Sequence, residues 1–347
     1  MSSPTIDDVA KQAKVSIKTV SRVVNREPNV RKETREKVQH AIDLLGYTPN
    51  LSARRLAAKR SFLVGLVYDN FHATSAYVVN VQCGVMASCS QSGYELLIHP
   101  LNVSSATLIN EVMDFIHRSQ VDCLVLPPPL SDHTHLCNQL AAQNIPFVRL
   151  SPVFNLNDSL YVQTNDRSAA FDMTRKLIEL GHNDIAFVAG RPDHYAVSER
   201  HLGFVDAMQS AALPIREEWI KIGASTFDSG KDCGVALLNN TPRPTAIFAG
   251  NDEMAAGVMS IAHSLGIRIP EDLSVAGFDD SDLARQSWPA LTSVRQPVQA
   301  MAKAAADLLF LSLKTPSNTD LSRCFACEII LRDSTGPAIK INETAND

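Results

Sequence analysis

Residues 5–25 read TIDDVAKQAKVSIKTVSRVVN, and the spacing of their apolar side chains predicts two short helices. Thr5 stands where an N-cap belongs, with Asp8 three residues on as the return half of a capping box. Ile6, Val9, Ala10 and Ala13 then recur at i, i+3, i+4 and i+7, the repeat of one buried helix face. Ser16 caps a second segment that turns Val20, Val23 and Val24 inward. That leaves Ile17, Lys18, Ser21 and Arg22 together on the outer face. A third helix, ending at Gly46, shows Val38, Ala41, Ile42 and Leu45 at the same spacing. Three short amphipathic helices joined by tight turns make a helix-turn-helix unit.

The second helix of such a unit lies in the DNA major groove and reads base edges with its first residues. Arg22 has the fork to donate two hydrogen bonds to guanine O6 and N7, and Ile17 suits a thymine methyl. A merely solvated face is the bland alternative, but an isoleucine set among cations argues against it. Charge agrees. Residues 1–61 hold 13 Lys and Arg against 6 Asp and Glu, a net of +7; the remainder holds 19 against 31, a net of −12. A basic module that meets a polyanion is attached to an acidic body that does not.

Length and composition bound the rest. A chain of 347 residues exceeds one core, so two or three domains are expected. No apolar run approaches the ~20 residues that span a bilayer, and acids stand where a leader would be apolar. The reading is a cytoplasmic protein with no membrane partner. Seven scattered cysteines, an odd number, favour reduced thiols over a disulfide framework. The lone CFAC at 324–327 lacks a second ligand pair for zinc, and in a strand its two thiols face opposite ways. No metal and no cofactor are expected.

From residue 62 onward, β-rich runs (FLVGLVY, YELLIHP, VDCLVLP, IPFVRLS) alternate with helical stretches at 76–92, 104–118 and 132–143. A second series follows: DIAFVAG, WIKIGA, TAIFAG and LSVAGFDD. The predicted fold class is α/β, two doubly wound parallel-sheet lobes preceded by an all-α headpiece. The chain passes between lobes near Asp158–Gln163, and VRQPVQAMAKAAADLLFLSLK returns to the first as a helix. Neither a dinucleotide, a P-loop nor a nucleophile-elbow motif is present, so no catalytic residue is expected. Ligands of open α/β sheets sit beyond the strand carboxyl ends. Those ends carry Asp69, His99, Pro127, Ser151, Arg191, Asn251, Asp252, Asp279, Asp280 and Gln296, a polar set suited to a hydroxyl-rich molecule. For Asp252 and Asp280, helix capping or turn formation is an equal reading.

The stretches TIDDVAKQAKVSIKTVSRVVN and TREKVQHAIDLLGYTPNLSARRLAAKRS resemble the DNA-binding headpiece of the LacI/GalR family of bacterial transcription regulators. NDRSAAFDMTRKLIELGHNDIAFVAG, SERHLGF, AGNDEMAAGVM, SVAGFDDSDLA and PALTSVRQP are similar to its effector-binding core, which is periplasmic-binding-protein-like. By position, the resemblance implies Ile17, Lys18 and Arg22 as base-reading residues. It implies Thr5, Ser16, Thr19, Ser21, Asn25 and Tyr47 as phosphate contacts. PNLSARRLAAKR becomes a hinge helix in the minor groove, with Leu56 as wedge, Ala53 beside it, and Arg54, Arg55 and Lys59 near phosphates. For the core it implies Asp69, Asp166, Arg200, Asn251 and Asp279 as effector contacts, with Phe71, Tyr77 and Phe227 among the aromatics available for stacking; Tyr195 and Trp288 are further candidates. The sequence departs from the family after its first strand, at Pro127, and at Ser225, where an aromatic is common.

The domains expected are 1–48 headpiece, 49–61 hinge, 62–161 with about 293–322 as one lobe, and 162–292 with about 323–340 as the other. The partners implied are a palindromic DNA operator, a second copy of the chain, and a small-molecule effector. The effector expected is a sugar acting as inducer. The alternatives are a purine corepressor or partner protein, and a sugar-processing enzyme with an appended DNA module. The tail lacks the leucine heptads of a tetramerising coiled coil, so a homodimer is expected.

Overall fold

A computed structural model describes residues 4–24, 29–47, 60–70, 75–239, 241–315 and 322–338, and its contacts divide the chain into two compact units, 1–61 and 62–347. The first holds α1 (Ile6–Ala13), α2 (Ile17–Val24) and α3 (Lys32–Leu45). Its capping box closes in both directions. The Asp8 amide donates to the Thr5 hydroxyl at 3.4 Å, and the Thr5 amide donates to the Asp8 carboxylate at 2.9 Å. Lys14, left-handed at φ 55, turns the chain toward α2. The Thr19 amide then donates to the Ser16 hydroxyl at 3.2 Å, which caps α2. Val9, Ala10, Val20, Val23, Val38 and Ala41 form the core, with Val24, Ile42 and Leu45 packed at its margin.

The second unit opens as an α/β series: β1 (Leu63–Asp69), α4 (Ala76–Ser92), β2 (Glu95–Leu101), α5 (Leu108–Ser119), β3 (Cys123–Leu126), α6 (Thr134–Ala142), β4 (Phe147–Leu150) and β5 (Leu160–Thr164). A second series follows: α7 (Asp166–Glu179), β6 (Ile185–Ala189), α8 (Tyr195–Ser210), β7 (Ile220–Ile222), α9 (Phe227–Leu238), β8 (Ala246–Ala249), α10 (Asp252–Ser264), β9 (Ser274–Asp279), α11 (Asp282–Gln286) and β10 (Thr292–Arg295). The chain closes with α12 (Val298–Lys314), β11 (Ser322–Phe325) and β12 (Glu328–Ile330).

The strands make two six-stranded sheets, ordered β11-β5-β4-β3-β1-β2 and β12-β10-β9-β8-β6-β7. Every neighbouring pair is parallel except β10 with β12. Central strands β3, β4 and β8 are buried at every position, as parallel strands covered by helices on both faces must be. The edge strands β2 and β7 are mostly uncovered and read as mixed polar and apolar. In the first lobe, Val81, Val85 and Cys89 of α4 and Met301, Ala302, Ala305 and Leu309 of α12 share one core with Val64 and Leu66 of β1. The two-lobed α/β architecture is the one that the alternation of apolar runs predicted.

The chain crosses between lobes after Thr164, after Arg295 and after Phe325. These points differ by a few residues from the expected boundaries. β5 stays in the first sheet through Thr164 rather than leaving at 161, β10 lies in the second sheet although the return was placed at 293, and β11 extends the first lobe past 322. The crossing strands β10 and β11 are short and partly polar, TSVR and SRCF, so no apolar run marks which sheet each one joins. No helix among the described residues is long and apolar enough to cross a membrane.

The C-terminal segment is fastened to the second lobe by His182, which is 2% exposed. Its Nε2 sits 3.0 Å from both the Ser274 hydroxyl and the Gly336 carbonyl, and its Nδ1 sits 3.0 Å from the Thr245 hydroxyl. A carbonyl only accepts, so Nε2 carries the proton. His182→Ala removes the buried ring and its hydrogen bonds, although Thr245 keeps the Asp184 carbonyl and Ser274 keeps Gly336, and should cost about 2–3 kcal/mol by urea unfolding at pH 8. Burial holds the imidazole pKa below its usual value. The folded chain therefore binds fewer protons than the unfolded one below about pH 6.5. The contribution of His182 is lost as pH falls, so the gap between wild type and variant should shrink by pH 5.

Candidate functional site

Two sites emerge, one in each unit. In the first, α2 turns its valines to the core and presents Ile17, 47% exposed, with Lys18 and Arg22 exposed on the opposite face. Ile17 and Lys18 fill the first turn, and Ser21 and Arg22 follow one turn later on that face. Thr19, Ser21 and Tyr47 are half-buried; Thr5 and Ser16 are exposed. The hydroxyls of Thr5 and Ser16 are engaged locally, Thr5 donating to Asp8 at 2.7 Å and Ser16 lying 2.9 Å from the Thr19 hydroxyl. Asn25, Ala53, Arg54, Arg55, Leu56, Lys59 and Phe71 lie outside the described residues.

In the second unit the strand order reverses between β1 and β3, and between β6 and β8, which are the switch points where doubly wound sheets take ligands. Asp69 ends β1 and Arg191 follows β6. They meet across the lobes at 2.8 Å, with the Asp69 side chain 3% exposed. Beside this pair lies a cavity of about 480 Å³, lined by Tyr77 and Pro128 of the first lobe and by Val197, Arg200, Ser225, Phe227, Asn251, Asp252, Glu253, Asp279 and Asp282 of the second.

Arg200 organises it. Nε donates to Asp166 at 2.8 Å, Nη1 donates to the Gly250 carbonyl at 2.6 Å and lies 3.5 Å from Asp279, and the guanidinium sits 3.8 Å over the Phe278 ring. Asp166 also accepts from the Thr164 hydroxyl, and Asp279 accepts from the Gln296 amide at 2.6 Å. Thr164 and Gln296 stand at two of the lobe crossings, so the network ties the ligand cavity to the connections between lobes. Gly203 makes the approach possible: a Cβ there would meet the Arg167 carbonyl at 2.0 Å and push α8 off α7.

Burial opposes the Arg200 charge, but Asp166 and Asp279 outweigh it and raise its pKa. Asp279 and Asp252 are both pushed up, chiefly by burial and, for Asp252, by the Asp279 charge beside it. Four non-glycine residues on these loops hold left-handed backbone: Ser151 (φ 45), Ser225 (φ 59), Asp279 (φ 112) and Asp280 (φ 50). Such conformations gather at ligand sites. The hydroxyls of Tyr77, Ser151 and Ser225 are buried without a hydrogen-bond partner among the described residues. Each leaves roughly 1–3 kcal/mol for a ligand to recover.

Of the sequence-derived residues, Tyr77, Arg200, Phe227, Asn251 and Asp279 line this one cavity. Asn251 is also a helix cap, accepting from the Met254 amide at 2.9 Å and donating to the Ser225 carbonyl at 3.0 Å. Asp252 is framework as well, holding the Ser281 amide at 2.7 Å and the Ser293 hydroxyl at 2.5 Å. Asp280 is wholly structural, paired with Arg295 and Arg332. Asp166 faces a larger groove of about 720 Å³ on the other side of Arg200. Of the polar groups lining that groove, Arg167 is spent on Asp206 and Asn165 on Ser168, while the Ser151 hydroxyl there has no hydrogen-bond partner among the described residues. The smaller cavity holds the other two unpaired hydroxyls, those of Tyr77 and Ser225, together with Arg200 and Asp279.

Tyr195 packs edge-on against Phe154, and Trp288 is 84% exposed, away from both volumes. No three His, Cys, Asp or Glu among the described residues are grouped to hold a metal ion. Cys324 lies on β11 in one sheet, and Cys327 lies beyond it with its thiol pushed up to about 12 by burial. Sequence reasoning missed Ser75, His194, Glu253 and Asp282. Each sits at the cap or first turn of a helix that begins at the cavity. Strand ends alone were searched, and the first turns of the following helices were the signal passed over.

Both units match known protein families. Residues 5–50 match the model of bacterial regulatory proteins of the lacI family, and residues 174–335 match a periplasmic binding protein-like domain. The chain is 34% identical over 308 residues to catabolite control protein A of Priestia megaterium, covering 88% of this chain and 91% of that protein. It resembles a transcriptional regulator CelR–cellobiose complex, with a TM-score of 0.74, 29% identity, and 95% and 99% of the two chains covered. It also resembles the lac repressor dimer bound to operator and the anti-inducer ONPF, with a TM-score of 0.76, 26% identity, and 96% and 100% covered.

The network predicts its own fragility. Arg200 is 4% exposed, so Arg200→Met leaves Asp166 and Asp279 without their cation. Urea unfolding at pH 8 should show a loss of about 3–5 kcal/mol. The raised pKa of Asp279 means that the folded state gains protons as pH falls, so the loss should narrow at pH 5.

Proposed function

Because the chain belongs to the lacI family of bacterial regulatory proteins, we propose that it represses transcription as a dimer on a two-fold operator and releases it when a sugar fills the 480 Å³ cavity. The observation that carries the sugar reading is the Arg200–Asp279 corner. Arg200 spends Nε and Nη1 on protein acceptors, and Asp279 spends one oxygen on Gln296 and Arg200. Nη2 and the second Asp279 oxygen are left for a ligand. A hydroxyl both donates and accepts, so neighbouring sugar hydroxyls satisfy the pair together. Phe227 supplies an apolar face for a ring. The cellobiose-bound relative supports the same chemistry.

Ile17, Lys18 and Arg22 read base edges in the major groove; Thr5, Ser16, Thr19, Ser21, Asn25 and Tyr47 hold phosphates. Two copies of the 49–61 segment fold together in the minor groove, where Leu56 wedges between bases, Ala53 packs beside it, and Arg54, Arg55 and Lys59 meet phosphates. The dimeric, operator-bound relative supports this geometry. A sugar touches Tyr77 and Pro128 on one lobe and Arg200, Asn251 and Asp279 on the other, so it favours one lobe arrangement. It weakens DNA binding only by its differential affinity for the two arrangements. The protein works in the cytoplasm and catalyses nothing.

Fluorescence anisotropy on an operator selected from random DNA, titrated with sugars and purines, tests this reading. Release by a sugar supports it, tightening by a purine replaces it with corepression, and indifference to both overturns it. On that operator Arg22→Ala should weaken specific binding by roughly 5–150-fold, with nonspecific binding far less affected. Asp279→Asn should raise the sugar concentration for half-release by at least about tenfold.

A further inference from the structure

We propose that the cavity selects an uncharged sugar and rejects its carboxylated and phosphorylated forms, with Glu253 as the gatekeeping charge. The proposal rests on the reading of this cavity as the effector site. Arg200 is the only Lys or Arg among the described lining residues, against the acids Asp252, Glu253, Asp279 and Asp282. Its guanidinium is already shared among Asp166, Asp279 and the Gly250 carbonyl, so no bidentate fork remains for an oxyanion. Helix N-termini favour anions. Here the first turns of α10 and α11 already carry Asp252, Glu253 and Asp282 in that role.

Glu253 is the acid best placed to discriminate. Asp252 is 1% exposed and committed to Ser281 and Ser293. Asp282 is 77% exposed and paired with Arg285, so solvent and a cation screen it. Glu253 is half-buried, lines the cavity, and has no ion-pair partner among the described residues. Burial pushes its carboxyl up, as it would that of an incoming anion. The Ser225 hydroxyl, in a residue 9% exposed, has no hydrogen-bond partner among the described residues and lines the same space, which suits a polar guest; the acids around it set the charge.

The test uses the full-length protein on its selected operator with glucose, galactose, ribose and cellobiose. Beside glucose and galactose stand glucuronate, galacturonate and their uncharged amides, and beside each sugar a phosphorylated derivative. The uronate and its amide have nearly the same shape, so charge alone separates them. The neutral sugar that releases DNA, and its amide, should act at concentrations at least about tenfold below those its anionic forms need. Glu253→Gln should narrow that gap roughly fivefold. A uronate or phosphate that acts at or below the concentration of its neutral parent overturns the proposal. An unchanged gap in Glu253→Gln overturns the assignment to Glu253. If no compound of either charge releases DNA, the effector-site reading itself fails, an outcome distinct from acceptance of an anion.

Discussion

A guanidinium removed from water must be surrounded by acceptors, and Arg200 meets that constraint with groups drawn from three separate parts of the chain. Asp166 opens α7 just after one lobe crossing, Asp279 ends β9, and the Gly250 carbonyl follows β8. Removing any one leaves buried charge uncompensated, at a cost of several kcal/mol. The carboxylates are in turn fixed by Thr164 and Gln296 at the crossings. The groups at the lobe connections are therefore hydrogen-bonded partners of the network whose Arg200 and Asp279 face the cavity. A ligand that engages Arg200 and Asp279 acts on the connections between lobes without an intervening relay.

Much of this was legible in the sequence, for reasons that differ by element. The headpiece was readable because its helices are amphipathic and capped: Thr5 with Asp8, Ser16, and the valines at helical spacing all have one energetically reasonable placement. The lobes were readable because parallel strands covered on both faces need continuous apolar runs. The crossing points were not, since β10 and β11 are short, partly polar strands with no apolar run to assign them to a sheet. In the cavity, Arg200 and Asp279 came from resemblance and strand-end logic. Glu253 and Asp282 were missed because acids in a first helical turn ordinarily serve the helix dipole. Asp69, a strand-end acid, pairs with Arg191 across the lobes at 2.8 Å.

The two units divide the electrostatic work. A headpiece of net +7 gains affinity for any DNA through its phosphates, and the proposed function assigns specificity to Ile17, Lys18 and Arg22. The body, at net −12, is repelled by the same polyanion, so nonspecific adhesion is confined to the surface that reads sequence. The cavity repeats this logic inside the body. Arg200 there is balanced by Asp166 and Asp279, and the unpaired Tyr77 and Ser225 hydroxyls offer hydrogen bonds to a guest.

The central claim is that the cavity and the operator surface are two sites of one equilibrium, and thermodynamic reciprocity tests it most directly. Sugar affinity should be measured by calorimetry on the free dimer and again with saturating operator DNA. The account predicts that operator weakens sugar binding by the same factor by which the sugar weakens operator binding, on the order of 5–150-fold. Equal sugar affinity in the presence and absence of operator would contradict it.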